Sequence, residues 1–415
     1  MNSLSKKLGD IADIKQGRYL AKEDMAETRT AEHPVPVHGA NGIIGWTDRA
    51  MYETGVPLVT CRGSNSGMVL WASGPLWVSN NAMAIIPRDG DLRFAYYCLL
   101  NAPPYETVSG SAQPQITRTA LSPKLVFWPD ADEQRAISDA LSAFDDKIEL
   151  NRRMNDTVEG MAQAIFRDWF VGFGPVRRKL AGETDPVAIM GGLTPDPARA
   201  AELAALFPAE LNDSGLPQGW IERPLDQIAE FLNGLALQKF PAVDGESSLP
   251  VIKIAELRNG LTEKSNRASP HLPNKYIVRD GDYLFSWSGS LMAKVWTEGD
   301  GALNQHLFKV SSTSYPQWFF GAWVEHHLPE FQQIAASKAT TMGHIQRGHL
   351  TSAMTVCPPQ PTLDVMATVL APLWDRRIQN DLENRTLAET RDYLLPRLMS
   401  GEVRVTPSDT ESAAA

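Results

Sequence analysis

The chain repeats itself at long range. Gly281-Asp-Tyr-Leu-Phe-Ser-Trp-Ser-Gly-Ser290 echoes Gly55-Val-Pro-Leu-Val-Thr-Cys-Arg-Gly-Ser64 at an offset of 226 residues. His344-Ile-Gln-Arg-Gly-His-Leu350 echoes Gln115-Ile-Thr-Arg-Thr-Ala-Leu121 at 229, and Asn380, Asn384 and Thr386 echo Asn151, Asn155 and Thr157 at the same offset. Leu225-Asp-Gln-Ile-Ala-Glu230 echoes Leu8-Gly-Asp-Ile-Ala-Asp13 at 217. A period of roughly 20–50 residues would build a solenoid, whereas this much longer one doubles a whole domain. The drift from 217 to 229 places extra residues inside the second copy. Each copy ends in a long amphipathic segment, so the plan is globule, helix, globule, helix. Two similar surfaces on one chain suit a ligand that is itself repetitive.

Composition excludes several classes. The 3 cysteines, Cys61, Cys98 and Cys357, are scattered and odd in number, which predicts a reducing cytoplasm and no disulfide framework or zinc site. No apolar run approaches the ~18 residues of a membrane span, and the N-terminal residues lack an apolar signal core. A net charge of −10 is awkward for a nucleic-acid binder, so its distribution matters. Residues 1–125 carry 12 basic and 11 acidic groups, and residues 224–356 carry 11 and 12. The acidity therefore lies in the helices and connectors, and a near-neutral globule can still present a basic face.

The residues read as an α+β chain of two tandem mixed domains, not as regular βαβ alternation. The first domain spans 1–125. Its stretch Val35-Pro-Val-His-Gly-Ala-Asn-Gly-Ile-Ile-Gly-Trp46 has the chemistry of strands joined by a tight turn. Val56–Cys61 and Ala82–Ile86 read as strands and Phe94–Leu100 as a short helix. A long helix is expected over 126–174, a connector with a short helix near Pro197–Leu206 over 175–222, and the second domain over 223–356. A second long helix over 357–403 and a disordered polar tail over 404–415 complete the plan.

Stepping 4-3-4-3 from Ile137, the first helix seam reads Ile137, Leu141, Phe144, Ile148, Asn151, Asn155, Val158, Ala162, Ile165 and Trp169. That periodicity predicts a coiled-coil helix with a partner. Asp130 or Asp132 caps its start, and Gly172, Gly174 and Pro175 end it. The equivalent seam of the second helix runs Met366, Leu370, Leu373, Arg377, Asn380, Asn384, Leu387, Arg391, Leu394 and Leu398, with Pro372 and Pro396 expected to interrupt it. A buried Asn weakens a coiled coil but fixes register and partner. The two helices are therefore expected to pair antiparallel, with Asn151, Asn155, Asn380 and Asn384 setting the alignment.

Candidate catalytic chemistry fails residue by residue. Phe170-Val-Gly-Phe-Gly174 mimics a methyltransferase cofactor turn, but it ends a helix, so C-capping is the simpler account. Asn101-Ala-Pro-Pro-Tyr105 mimics the N-P-P-Y pattern of adenine amino-methyltransferases, but Ala102 stands where the amino-group acceptor is needed. There is no phosphate loop of the G-x-x-x-x-G-K-[ST] type. His326-His327 lacks further ligands at metal spacing.

What remains is polar loop chemistry at matching places in both domains. The first offers Arg62, Ser64, Asn65, Asn80, Asn81, Gln113, Gln115, Thr117 and Arg118. The second offers Ser288, Ser290, Lys294, Asn304, Gln305, His306, Thr341, His344, Gln346 and Arg347. Asn and Gln can read adenine, Arg can read guanine, and Ser or Thr and backbone amides can hold phosphates. Different side chains on a common frame suit two readers of different sequences. A coiled-coil adaptor that binds only protein, and a self-contained DNA adenine methyltransferase, are the competing readings.

Three stretches resemble the specificity subunit of type I restriction–modification systems. They are Pro129–Ile137 continuing through Asp145–Asn155 to Phe166–Phe170, Gly281–Ser290 with Gly301–Lys309, and Leu395–Val403. The second helix departs from the pattern where the Glu133-Gln134 pair of the first is replaced, in Pro358–Asp364, and Gly172 and Gly174 stand where acidic residues are common. The resemblance implies two target recognition domains, each reading half of a bipartite double-stranded DNA site. It implies helices that act as a ruler and dock two modification subunits, which bind S-adenosylmethionine. It also implies a restriction subunit using ATP and Mg2+, and a chain that is itself noncatalytic, without cofactor or metal.

Overall fold

The computed structural model describes residues 4–337 and 343–405. Contacts divide the chain into two compact units, one of residues up to Ile148 together with those from Thr386, the other Glu149–Arg385. Each unit therefore holds one globule and part of both long helices.

In the first unit, strands Ala12–Gln16, Ala82–Pro87, Val56–Thr60 and Val69–Ala72 form an antiparallel sheet in that spatial order. Val56–Thr60 is buried at every position, which explains its unbroken apolar run: a central strand covered on both faces does not alternate. Val35–Gly39 pairs antiparallel with Gly42–Thr47 and parallel with Trp77–Val78. Helix Leu92–Asn101 starts at Asp91, whose carboxylate accepts from Phe94 N at 2.7 Å. It buries Phe94, Tyr97 and Leu99 in a core with Val59, Met83 and Ile85. Ile137 and Leu141 of the first long helix enter this core, as do Leu395, Leu398 and Met399 of the second.

The second unit repeats the scheme. Glu230–Asn233, Leu307–Ser311, Tyr283–Ser286 and Ala293–Val295 form its antiparallel sheet. Leu249–Ile252 takes the place of Val35–Gly39 and again has a parallel neighbour, Gly301–Leu303. Helix Gln317–Ser337 stands where the first copy has Leu92–Asn101, and its greater length accounts for part of the offset drift. The copies also diverge after the parallel strand: the first has the hairpin to Gly42–Thr47, the second a helix, Ile254–Asn259. The core is aromatic, with Trp169, Phe170, Phe207, Trp220, Phe285, Phe319 and Phe331 buried together.

The first long helix is Ala131–Phe166, capped by Asp130, which accepts from Glu133 N at 3.0 Å. It runs into a π-turn, Arg167–Val171, with Gly172 N donating to Arg167 O. The Phe170–Gly174 motif therefore lies in a helix terminus, with Phe170 and Phe173 buried in the core. Asp196 caps the connector helix Pro197–Ala205, with Pro at its first position.

The second long helix, Gln360–Ser400, is continuous, so the expected interruption at Pro372 and Pro396 does not occur. Both prolines are on the exposed side, as are Thr368 and Asp392, whose carbonyls lose their intrahelical donors. Water can satisfy those carbonyls, which removes the main reason for a proline to end a helix.

Candidate nucleic-acid interface

In the first unit, three loops meet at one end of the main sheet. Cys61 N donates to Asn81 O at 2.9 Å, Ile116 N donates to Cys61 O at 3.0 Å, and Gly63 N donates to Pro114 O at 3.0 Å. Arg62 and Gln115 face each other as an isolated bridge pair. Ser66 Oγ donates to Gly63 O and to Pro114 O at 2.8 and 3.0 Å, closing the loop from within. Gln16 Nε2 reaches Asn80 O at 2.8 Å and ties the edge strand to the cluster.

The second unit builds the same frame. Trp287 N donates to His306 O at 3.4 Å, Ile345 N to Trp287 O at 3.0 Å, and Gly289 N to Gly343 O at 2.7 Å. Ser288 and His344 form the matching bridge pair. Asn233 stands at the position of Gln16 and accepts from Trp287 Nε1 at 3.0 Å. Gly17 and Gly234 correspond as well. A Cβ on Gly17 would lie 2.1 Å from Ser79 O, and one on Gly234 would lie 2.2 Å from Asn304 O. Only glycine lets the strand end pass so close to the loop.

The frame sorts the candidates. Arg62, Ser64, Asn65, Gln113, Gln115 and Arg118 are exposed on the first cluster, and Ser290, Gln346 and Arg347 on the second. Asn80, Asn81, Gln305, His306 and His344 are half-buried. Thr117 is exposed, but its hydroxyl accepts from Ala120 N at 3.1 Å and caps a short helix. Ser288 and Asn304 are corrections to the sequence reading, since both are buried. Ser288 Oγ lies 3.0 Å from His306 Nδ1, and Asn304 Oδ1 accepts from His306 N at 3.2 Å, so both shape the loop from inside. Lys294 is half-buried in strand Ala293–Val295, where its charge acts on Asp381 of the second long helix. Thr341 falls outside the described residues.

Sequence reasoning missed Gln16, Asn233, Trp287 and the Gly17–Gly234 pair. The signal was present: Gly234 follows Gly17 at the same offset of 217 that relates Leu225 to Leu8. It missed Asn41 too, whose Oδ1 accepts from Asn65 Nδ2 at 2.7 Å and fastens the neighbouring hairpin to the loops.

The helix seam is built around asparagine. In the second unit, Asn151 Nδ2 donates to Asn384 Oδ1 at 3.0 Å and to Glu383 Oε2 at 2.7 Å. Asn155 Nδ2 donates to Asp381 Oδ1 at 2.8 Å. In the first unit, Arg391 Nη1 donates to Asp145 Oδ1, and Tyr97 OH donates to Asp145 Oδ2 at 2.6 Å. In both units the first helix ascends in number where the second descends, so the pairing is antiparallel. Ile137, Leu141 and Ile148 are buried, whereas Phe144, Leu387 and Leu394 are half-buried.

Among the described residues, no group of three or more His, Cys, Asp or Glu could hold a metal ion. His327 Nε2 lies 2.9 Å from Met354 O, and its ring stacks near Trp323, so the His326-His327 pair is packed into the helix surroundings. No helix among the described residues is long and apolar enough to cross a membrane.

Residues 3–160 match the type I restriction modification DNA specificity domain. The chain is 24% identical over 327 residues to the type I restriction enzyme HindI specificity subunit of Haemophilus influenzae, covering 70% of this chain and 71% of that one. It is 24% identical over 370 residues to the MjaIX specificity subunit of Methanocaldococcus jannaschii, covering 86% and 79%. The crystal structure of a type I restriction-modification S subunit from M. genitalium superimposes with a TM-score of 0.56 at 17% identity, over 96% of this chain and 97% of that one. That likeness carries the fold.

Proposed function

We propose that this chain, a specificity subunit of the type I restriction–modification class whose residues 3–160 form that class's DNA specificity domain, reads a bipartite duplex with its two loop clusters. It is a noncatalytic component: it selects the DNA, and its partners act on it. The observation that carries the two-reader model is the recurrence of one hydrogen-bond frame with different side chains upon it. Arg62 and Gln115 in the first cluster are replaced by Ser288 and His344 in the second. A frame that holds its backbone constant while exchanging exposed side chains can read two unrelated half-sites.

The partners in this reading are two modification subunits, docked on the long helices and supplying S-adenosylmethionine for adenine methylation. Restriction subunits using ATP and Mg2+ join them, and the assembly works in the cytoplasm. The helix pair acts as a ruler, because duplex DNA repeats about every 34 Å and a fixed spacing selects a fixed unread spacer. With a net charge of −10, the chain relies on partners for much of the phosphate affinity.

The test is methylation mapping in cells that express the chain with its modification partner, before and after residues 1–125 are exchanged for another recognition domain. A bipartite adenine motif changed in one half only is the expected result. An unchanged motif removes the reading role from this domain and favours a protein-binding adaptor.

A further inference from the structure

The hairpin beside the first loop cluster carries an unusual tip. After the turn at Ala40-Asn41, Ile43 and Ile44 of the returning strand are 51% and 47% exposed. Two adjacent large β-branched side chains at this exposure forgo much of the burial that normally favours them. Single exposed apolar residues are ordinary on a protein surface, but a contiguous pair beside a hairpin turn is less so.

The tip is tied to the loops that the reading assigns to DNA. Asn65 Nδ2 donates to Asn41 Oδ1 at 2.7 Å, and Ser79 N donates to His38 O at 2.9 Å. The hairpin therefore ends at the same end of the sheet as Arg62 and Asn65. Its base is anchored, with Gly45 and Thr47 buried and the Arg29 guanidinium lying 5.6 Å from the Trp46 ring. Arg62 and Arg29 are exposed and, among the described residues, ion-paired to no carboxylate; Arg62 lies on the loop that Asn65 ties to the hairpin, and Arg29 lies over Trp46 at its base. The second copy has no counterpart, because Lys253 leads into helix Ile254–Asn259 there.

We infer that Ile43 and Ile44 form an apolar wedge that the first domain inserts between base pairs of bound duplex DNA, unstacking one step and bending the helix beside the first half-site. This rests on the DNA-reading role proposed above. Proteins that insert Ile, Leu, Phe or Met between base steps recover the unstacking cost through the wider contact that a bent duplex makes. The exposed Arg29 and Arg62 supply cationic groups for the phosphates, and the loop side chains read the bases. The step entered is a flexible pyrimidine–purine step, TA or CA, because such steps unstack most easily.

The experiment uses the full chain in complex with its modification partner and a duplex carrying the mapped methylation motif. Dyes at the duplex ends report the bend by energy transfer. The wild-type complex bends the DNA by about 20–90°. The Ile43→Ala, Ile44→Ala double variant, altered only at exposed positions, loses most of that bend and keeps the methylation motif. A mismatch placed at the entered step restores affinity to the variant more than to the wild type, because the unstacking is already done. A wild-type complex that binds its motif on straight DNA overturns the wedge and leaves the reading role intact. A complex with no motif-dependent binding overturns the reading role itself. An unchanged bend with loss of the modification partner reassigns the tip to a protein contact and also overturns the wedge.

Discussion

Asn380 donates from Nδ2 to Oδ1 of Asn155 at 2.8 Å. Asn151 and Asn384 pair likewise, and the repeat relates Asn151 to Asn380 and Asn155 to Asn384. Each asparagine therefore pairs with the repeat equivalent of its neighbour, which is what a local two-fold arrangement of antiparallel helices requires. Asn151 and Asn380 are buried, so a one-turn slip would strand amide groups away from water.

The first prediction concerns that lock. Replacing Asn380 alone by Leu leaves Asn155 without its donor and should cost about 1–3 kcal/mol. Replacing both Asn155 and Asn380 by Leu should recover part of this, giving a coupling of about 0.5–3 kcal/mol in denaturant unfolding. The double variant should also lose its single spacer length in methylation mapping. A stable double variant that keeps one spacer would show that the asparagines do not set the register.

A second prediction concerns Glu325. Burial pushes its carboxyl up to about 7, against the opposing pull of Arg377 at 3.8 Å. Glu159 lies 3.7 Å from the same guanidinium and works in the direction of burial. A carboxyl with a raised folded-state value favours the fold while protonated. That contribution is complete below its unfolded value and disappears as pH rises through about 7. The swing is roughly 3 kcal/mol at most. Urea unfolding of the Glu325→Gln variant should show a flatter pH profile between about 5 and 7.5 than the wild type. Parallel profiles would mean that Glu325 is solvated well enough to ionise normally.

The sequence displayed the architecture because the two copies diverge in loops while keeping their strand ends and helix seams. The echo of Gly55–Ser64 in Gly281–Ser290 located both loop clusters, and the seam asparagines located the helix pairing. Pro372 and Pro396 misled because proline is read as a helix breaker, whereas its cost depends on whether water reaches the carbonyl four residues back. Ser288 and Asn304 misled for a related reason. A polar residue in a loop can face the ligand or satisfy the loop's own backbone, and residue type does not distinguish the two. The Asn41–Asn65 bond was invisible because it joins positions with no shared periodicity.

The third prediction concerns Arg385, which holds Asp280 through two hydrogen bonds of 2.9 and 2.8 Å. Gly299 N also donates to Asp280 at 2.7 Å. Burial pushes the Asp280 carboxyl up, but these donors outweigh it, and the group titrates below the ordinary aspartate value. Its stabilisation is therefore present above that ordinary value and lost as pH falls through the depressed one. Arg385→Lys keeps the charge but not the fork, and should cost about 1–2 kcal/mol in urea unfolding at neutral pH. A lysine variant as stable as the wild type would show that the fork geometry contributes nothing beyond charge.

The last prediction separates readers from scaffolding within the loop clusters. Arg62 is exposed and makes no ion pair among the described residues, whereas Asn304 is 5% exposed and its side chain accepts from the backbone of His306. Arg62→Ala should leave the melting temperature unchanged. In the complex with the modification partner, it should either relax one base of the first half-site, by about 1–3 kcal/mol of discrimination, or reduce the salt slope of DNA binding by about 1. A relaxed base identifies a guanine reader; a reduced slope with an unchanged motif identifies a phosphate contact. Asn304→Ala should do the opposite, lowering stability by about 1 kcal/mol through the unsatisfied His306 amide, with weaker but equally specific binding. An Arg62→Ala complex with unaltered affinity, motif and salt slope would place the first half-site contacts elsewhere on the cluster, on Asn65, Gln113 or Gln115.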